Sequence, residues 1–511
     1  MEEATATTGA AMAAEAPASV PPAAEPRRLA INYLFLSGGE FTAKLLTFAS
    51  FTYLARVLGP VNYGSVEFTL AAMVFFTLPA DLGLAWYGAR EVARNPRNAP
   101  RLLHEIAGLR LMLALGSMLA LGLFILVIPK SHELKVLLAL YGVSLLGGPF
   151  LLQWFFQGHD QMHWVGIAAI VRQAGFAVLV FLICRRGSPL LYIGLIECAS
   201  VAAVAVFCVY VSRHRMGFAW PWPDLHVTQL VGHLREASPI GLTELAWAFM
   251  WYFCTVLLGF VFPDRSLGWF GASHRALMAL HSFVYLYFFN LLPSISRCVA
   301  LPRQPLLELM DRSVRFVAWT GLYAAALLMA VAPQLLTLLY GPPFRPASHS
   351  FSILVWILPV AMLSGHHRYI LIAYNHQKTL LRCTACSAAV AVLLGFALVP
   401  FYRGQGAAWA LLIAIVINFV LVYISVRRLV VEVPVHRQLA MPLAALAVSM
   451  IFYLTIARWS IWVALIGGSA LYWAGLAQSD GRRLASFLLT IVRKPSASTG
   501  QGSRVFPPNA R

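Results

Sequence analysis

Charge is scarce in this sequence. Only 11% of its 511 residues are Asp, Glu, Lys or Arg, against roughly 25% in a soluble domain. Hydrophobic residues make up 60%, and the mean hydropathy is +0.73. A body this size has too little polar surface to coat itself. That excludes a soluble globular protein and points to a multi-span membrane protein. Acidic residues are the scarcer sign, 20 against 38 basic ones, for a net charge of +18. In a soluble protein that balance would suggest nucleic-acid binding. In a membrane protein no nucleic-acid partner is implied, and the question is where the cations sit relative to the bilayer. Cysteine is sparse too, with seven residues. Cys383 and Cys386 form a lone C-x-x-C inside an apolar run, without the partner pair that zinc needs or a thioredoxin-like setting. No P-loop and no cofactor motif occurs. Residues 1–26 lack the basic n-region and apolar h-region of a signal peptide and read as a disordered cytoplasmic tail. Residues 478–511 read as a second tail, basic through Arg482, Arg483, Arg493, Lys494, Arg504 and Arg511.

What the chain has is long apolar runs. A spanning helix needs about 20 mostly apolar residues, and fourteen such segments are expected. They lie near 31–55, 64–86, 106–128, 136–157, 162–184, 189–212, 239–262, 268–291, 315–339, 349–374, 379–401, 405–426, 440–457 and 459–477. Runs such as Leu111–Ile128 are too long and uniform for the alternating strands of a membrane barrel. With the N-terminus inside, 24 basic residues fall on inner segments and 9 on outer loops. That asymmetry predicts both termini in the cytoplasm of a cell-membrane protein. The longest internal loop, 213–238, carries Trp220-Pro221-Trp222-Pro223, suited to an interfacial anchor. Asp224 is placed to cap a helix with Val227, Leu230, Val231 and Leu234 on one face. The expectation is a separate helix on the inner membrane surface joining two halves.

The two halves echo each other. Leu58-Gly59-Pro60-Val61-Asn62-Tyr63-Gly64 follows the first span, and Leu267-Gly268-Trp269-Phe270-Gly271 follows the seventh. Gly158-His159-Asp160-Gln161 follows the fourth, and Asn375-His376-Gln377-Lys378 the tenth. Parallel repeats of this kind carry a substrate site between them. The expected division is a tail 1–26, an N-lobe 27–212, a linker 213–238, a C-lobe 239–427, two further helices in 428–477 and a tail 478–511. The fold class is an all-α polytopic membrane protein of about fourteen helices, two six-helix lobes plus two C-terminal helices.

These residues resemble a known family. Leu54-Ala55-Arg56-Val57-Leu58-Gly59-Pro60-Val61-Asn62-Tyr63-Gly64, Asp81-Leu82-Gly83-Leu84 and Arg90-Glu91-Val92-Ala93-Arg94 look like the N-terminal signature of the polysaccharide transporters. This is the O-antigen-type oligosaccharide flippase family of the multidrug/oligosaccharidyl-lipid/polysaccharide exporter superfamily. Leu339-Tyr340-Gly341 and Gly404-Gln405-Gly406-Ala407-Ala408 look like matching elements in the second half. The resemblance runs from about residue 28 to 477. It implies that undecaprenyl-diphosphate-linked oligosaccharide moves from the inner to the outer leaflet for cell-surface polysaccharide synthesis. It also implies that the two terminal helices associate with the lipid tail. Membrane lipid and polysaccharide polymerase or chain-length proteins are the implied partners.

Charges inside spans are costly and face a cavity or a partner. Lys44, Arg172 and Arg275 are the expected binding residues for an anionic diphosphate, since Arg holds phosphate oxygens bidentately. Glu40 stands four residues before Lys44, the favourable order for a pair. Glu40, Asp81, Glu197 and Glu244 are the candidate coupling groups or structural ion-pair partners. Glu67, Arg110 and Arg368, near span ends, are placed to snorkel. Trp247, Trp251, Tyr252, Tyr285 and Tyr287 offer surfaces on which sugars stack. His274, His281, His366 and His367 offer pH response. Direction would come from alternating access driven by a proton or cation gradient or by the membrane potential. The rival readings are a lipid II flippase, a multidrug/ion antiporter, a polymerase or ligase enzyme, and a scaffold. An enzyme would need an exposed loop with convergent polar groups, and none is long enough.

Overall fold

The computed structural model describes residues 26–224, 227–299, 301–479 and 481. Of the two expected tails, 1–26 and 478–511, residues 1–25, 480 and 482–511 lie outside them, as does the side chain of Tyr285. Among the described residues every regular element is a helix and none is a strand. A helix satisfies its own backbone within one segment, which is what a hydrocarbon environment demands.

Eleven helical stretches are long and apolar enough to cross a membrane. Two of them, Ser37–Arg94 and Gln377–Leu429, run 58 and 53 residues, enough to cross twice. The first bends at Gly59 (φ 71°), just before Pro60, and the second at Arg403 (φ 50°). Gly accepts a left-handed φ without strain, and the following proline restarts the helix. Arg265–Val299, less apolar but 35 residues long, has the length for one further crossing. The fourteen spans in order are 26–58, 60–81, Ala99–Val127, His132–Gly158, Met162–Ile183, Leu191–His214, Val227–Val261, Arg265–Val299, 303–340, Ala347–Ala373, 377–402, 404–429, Val435–Ile456 and Ile461–Ser479. The first span begins and the fourteenth ends on the same side, called here the terminal face. The other side is the opposite face.

The halves share backbone detail as well as helix count. The fourth and tenth spans each end in a left-handed residue, Asp160 (φ 58°) and Asn375 (φ 60°). In each, the next amide reaches back five residues, Gln161 to the Phe156 carbonyl at 2.9 Å and His376 to the Leu371 carbonyl at 2.8 Å. The left-handed residue itself bonds the carbonyl three back, Asp160 to Gln157 and Asn375 to Ile372, both at 3.1 Å. This is the Schellman closure of a helix end, built twice from Asp and Asn, the non-glycine residues that best tolerate that conformation.

One expectation needs correction. The surface helix anticipated within 213–238 is not a separate element. Residues from Val227 onward are the first turns of one 35-residue helix that continues through Pro239 to Val261. Nothing after Leu234 breaks the helix. Ala237, Leu242 and Leu245 extend it, and a proline interrupts one hydrogen bond without stopping a helix held by neighbours. Residues 225–226 lie outside the described set, so the Asp224 cap does too. The chain before it is pinned to the third span: the Asp224 amide bonds the His104 carbonyl at 3.1 Å, and His104 Nδ1 donates to the Trp222 carbonyl at 2.9 Å. Trp222 itself stays exposed.

The thirteenth and fourteenth spans pack on each other and on the ninth. Tyr323 donates to Ser469 (2.9 Å), Tyr472 to the Trp319 carbonyl (2.8 Å), and Gln438 to Asp311 (2.9 Å). Only 17% of the best apolar window in each is buried, against 61% in the tenth span. They sit on the outside of the bundle.

Candidate site between the two halves

At the opposite face the halves touch through their backbones. A Cβ on Gly268 would fall 1.8 Å from the Pro60 carbonyl oxygen, and one on Gly64 would fall 2.9 Å from the Gly268 nitrogen. Only glycine permits that approach. Tyr63 packs edge-on to Phe344 (5.8 Å). Arg56, on the first span, donates from Nε to the Leu339 carbonyl at 2.7 Å and from Nη2 to the Leu338 carbonyl. Those carbonyls end a helix at Gly341 (φ 93°) and lack intrahelical donors, so a cation from the other half caps them. Lys130, in the loop after the third span, donates to the Gly259 carbonyl and lies over Phe68 and Phe260. Burial there pushes its ammonium pKa down. Four of the short motifs picked out in the sequence, at 54–64, 267–271, 339–341 and 404–408, meet in this seal: Gly404 packs on Phe270 and Ser350.

Just inside the seal lies a buried ion pair between the halves. Glu67 of the second span accepts two bonds from Arg275 of the eighth, at 2.6 and 3.0 Å. Their side chains are 6% and 20% exposed. The Phe51 ring covers the guanidinium at 3.7 Å, with fully buried Tyr63 and Tyr340 close by. Glu67 does not snorkel. A bidentate pair is the strongest geometry available to these groups.

Deeper in, the charges are less enclosed. Lys44 of the first span and Arg368 of the tenth both lie within electrostatic reach of His281 on the eighth. Glu244 of the seventh lies within reach of Arg368. Lys44 and Arg368 are exposed, while His281 and Glu244 are half-buried. Trp251 stands against His281 with ring centres 5.0 Å apart, and Trp247 follows at 5.5 Å. The first and second halves thus each place a cation in one central cluster beside an aromatic wall. Arg368, expected to snorkel, belongs to this cluster. Glu40, one turn before Lys44, is exposed on the same helix.

The remaining candidates are spoken for. Arg172 donates to Glu197 at 2.9 Å, linking the fifth and sixth spans within one half. Asp81 accepts from Arg110, which is buried, bonds the Leu151 carbonyl at 3.1 Å and lies over Trp154. Arg110 therefore does not snorkel either. Tyr252 packs against His274. Tyr287 joins a hydrogen-bonded chain that no sequence pattern reveals. His366 Nδ1 donates to the Met362 carbonyl at 2.8 Å, leaving Nε2 as an acceptor. Ser313 fills that role by donating to Nε2, and Tyr287 donates to Ser313 at 2.8 Å. The chain crosses the eighth, ninth and tenth spans. Nearer the terminal face, His233 bridges Tyr87 (2.7 Å) and Glu105 (3.0 Å), Arg101 holds Glu105 (2.7 Å), and Arg90 meets Glu236 (3.2 Å). These bonds fasten the start of the seventh span to the first half. Among the described residues no cluster of His, Cys, Asp or Glu has the makings of a metal site.

A seal, a cross-half ion pair and a central charged cluster in a fourteen-helix bundle define a polytopic membrane protein with a pseudo-repeated core. The sequence profile of the family described as "Polysaccharide biosynthesis protein" matches residues 29–299, and the chain belongs to that family. It is 21% identical over 414 residues to a curated Escherichia coli (strain K12) protein named "Putative O-antigen transporter", covering 79% of this chain and 98% of that one. A Shigella dysenteriae protein of the same name is 23% identical over 393 residues, covering 76% and 96%. Among solved structures, the lipid II flippase MurJ in an inward closed conformation shares the fold with a TM-score of 0.66 at 13% identity, covering 90% of this chain and 100% of that one. An inward-facing multidrug resistance MATE family transporter of the MOP superfamily gives 0.62 at 14% identity, covering 78% and 98%.

Proposed function

We propose that this protein is a flippase for lipid-linked oligosaccharide in cell-surface polysaccharide synthesis. The observation that carries the reading is the central cluster. Lys44 and Arg368, one from each half, converge beside a Trp wall, where a diphosphate needs fixed positive charge and a sugar needs aromatic surface. The family and the named relatives support the cargo class. The cargo on this reading is an undecaprenyl-diphosphate-linked glycan, taken up from the cytoplasmic leaflet and released to the outer one. The excess of basic residues on terminal-face segments supports both termini in the cytoplasm. The terminal face is then inner and the opposite face outer. The units that rock are the N-lobe, 27–212, and the C-lobe, 239–427. Alternating access between them exposes the cluster to one side at a time. Arg172 supports the N-lobe wall through Glu197, and Arg275 lies on the way out. A proton or cation gradient supplies direction, with Glu244 and Glu40 the acidic groups nearest the cations. A glycan polymerase and chain-length protein receive the product.

The test is delivery of lipid-linked glycan to the outer leaflet of reconstituted vesicles. Lys44→Ala and Arg368→Ala are expected to abolish most delivery at unchanged protein level, and Lys44→Arg to retain it. Normal delivery by both alanine variants would refute the central site.

A further inference from the structure

The Glu67–Arg275 pair sits where the halves must part if the opposite face is to open. Its geometry is a fork meeting a fork, both carboxylate oxygens on Nε and Nη2. A phosphate offers Arg the same pattern of oxygens. The cation keeps some exposure at 20%, whereas its carboxylate is at 6%, so the arginine is the member a visiting anion can approach. Arg275 and His281 are six residues apart on one helix, about 9 Å at the helical rise. A diphosphate leaving the central cluster toward the opposite face therefore meets Arg275 next. Two anions do not fit there together. Gly271 abuts Glu67 so closely that a Cβ would lie 2.5 Å from Cγ, and Phe51 covers one face of the guanidinium.

We propose that Glu67 is a built-in stand-in for the cargo's anionic group, and that a diphosphate arriving at Arg275 displaces it and releases the seal on the opposite face. The proposal rests on the flippase reading and adds to it a residue that ties opening to cargo. Separating the halves without a replacement anion would strand a buried arginine, which is strongly unfavourable. The empty protein therefore stays shut, and only an anionic cargo makes opening cheap. Tyr63, one turn before Glu67 on the same helix, offers a hydroxyl to the released carboxylate.

The experiment reads a distance across the seal. A ketone-bearing amino acid is placed at Val61 and at Tyr402, both exposed at the opposite face, and spin-labelled with the native cysteines untouched. Pulsed dipolar spectroscopy is then run in nanodiscs. The probes are undecaprenyl diphosphate and the uncharged undecaprenol. Wild-type protein is expected to show a short distance alone or with undecaprenol, and a second, longer population with the diphosphate. Glu67→Gln should show the longer population without either probe. The double variant Glu67→Gln with Arg275→Gln restores a neutral hydrogen-bonded pair, so it guards against loss of fold. It should stay short and bind the diphosphate roughly tenfold more weakly, the loss of one charge-assisted contact. A Glu67→Gln protein that stays shut would overturn the stand-in role. So would a double variant that opens with the diphosphate as the wild type does. Wild-type protein that binds no diphosphate, while Glu67→Gln still opens, would overturn the cargo reading and the displacement but identify the pair as the lock.

Discussion

Two charged regions lie about two helical turns apart between the same halves, and they are built on different principles. At Glu67 and Arg275 both charges are buried, matched and doubly bonded. At Lys44 and Arg368 the cations stay exposed, with Glu244 and His281 half-buried beside them. The first region spends its charge on holding the halves together. The second leaves its two cations exposed to the space between the spans. Both pass a sequence filter for intramembrane charge, so it is burial across the interface, and not the residue type, that separates the two.

The comparison breaks most visibly at the pair. Glu67→Ala leaves a buried, unpaired guanidinium and is expected to cost about 3–5 kcal/mol, read as a large drop in thermal unfolding midpoint in nanodiscs. Lys44→Ala, at an exposed side chain, should cost clearly less by the same measurement while losing glycan delivery. Equal stability losses would erase the distinction. Gly268→Ala comes next. Its methyl meets the Pro60 carbonyl, so overpacking should cost about 1–3 kcal/mol, whereas Gly116→Ala, with nothing within 4 Å of its Cβ, should be neutral or mildly stabilising. Ser313→Ala leaves His366 Nε2 and the Tyr287 hydroxyl without their shared partner, at about 1–3 kcal/mol, and Ser313→Thr should recover part of it. The smallest expected effect tests the repeat itself. Asp160→Ala and Asn375→Ala should each cost about 1 kcal/mol, and clearly unequal values would show that the two Schellman ends are not under equivalent constraint.

Much of this fold was legible because hydrophobic length is a local signal. The fourteen expected spans fall on the fourteen observed ones, and the bends at Gly59 and Arg403 fall between expected spans. The segment after Asp224 shows where local reading stops: its helical character is legible, yet neighbours decide whether the helix ends or runs on. Pairing was less legible still. Glu67 and Arg275 are separated by 208 positions, and no spacing rule reaches that far. A signal did exist in the repeat. Tyr63-Gly64 and Phe270-Gly271 are corresponding positions, and opposite charges follow them at nearly the same offset. Parallel repeats bring such positions face to face. Arg56 was likewise visible only as a motif residue, because its partners are carbonyls, which every residue carries.

The seventh span has a mechanical consequence. It is one rod of 35 residues, roughly 52 Å long at the helical rise. One end is tied to the first half through His233 and Glu236. The other end lies on Phe68, where Gly259 leaves room for the ring. Between them Pro239 deletes a backbone bond beside Gly241, which presses on Leu82. A helix held at both ends and softened between them has one place to flex, so under the proposed alternating access the bend falls at Pro239 while both anchors stay seated.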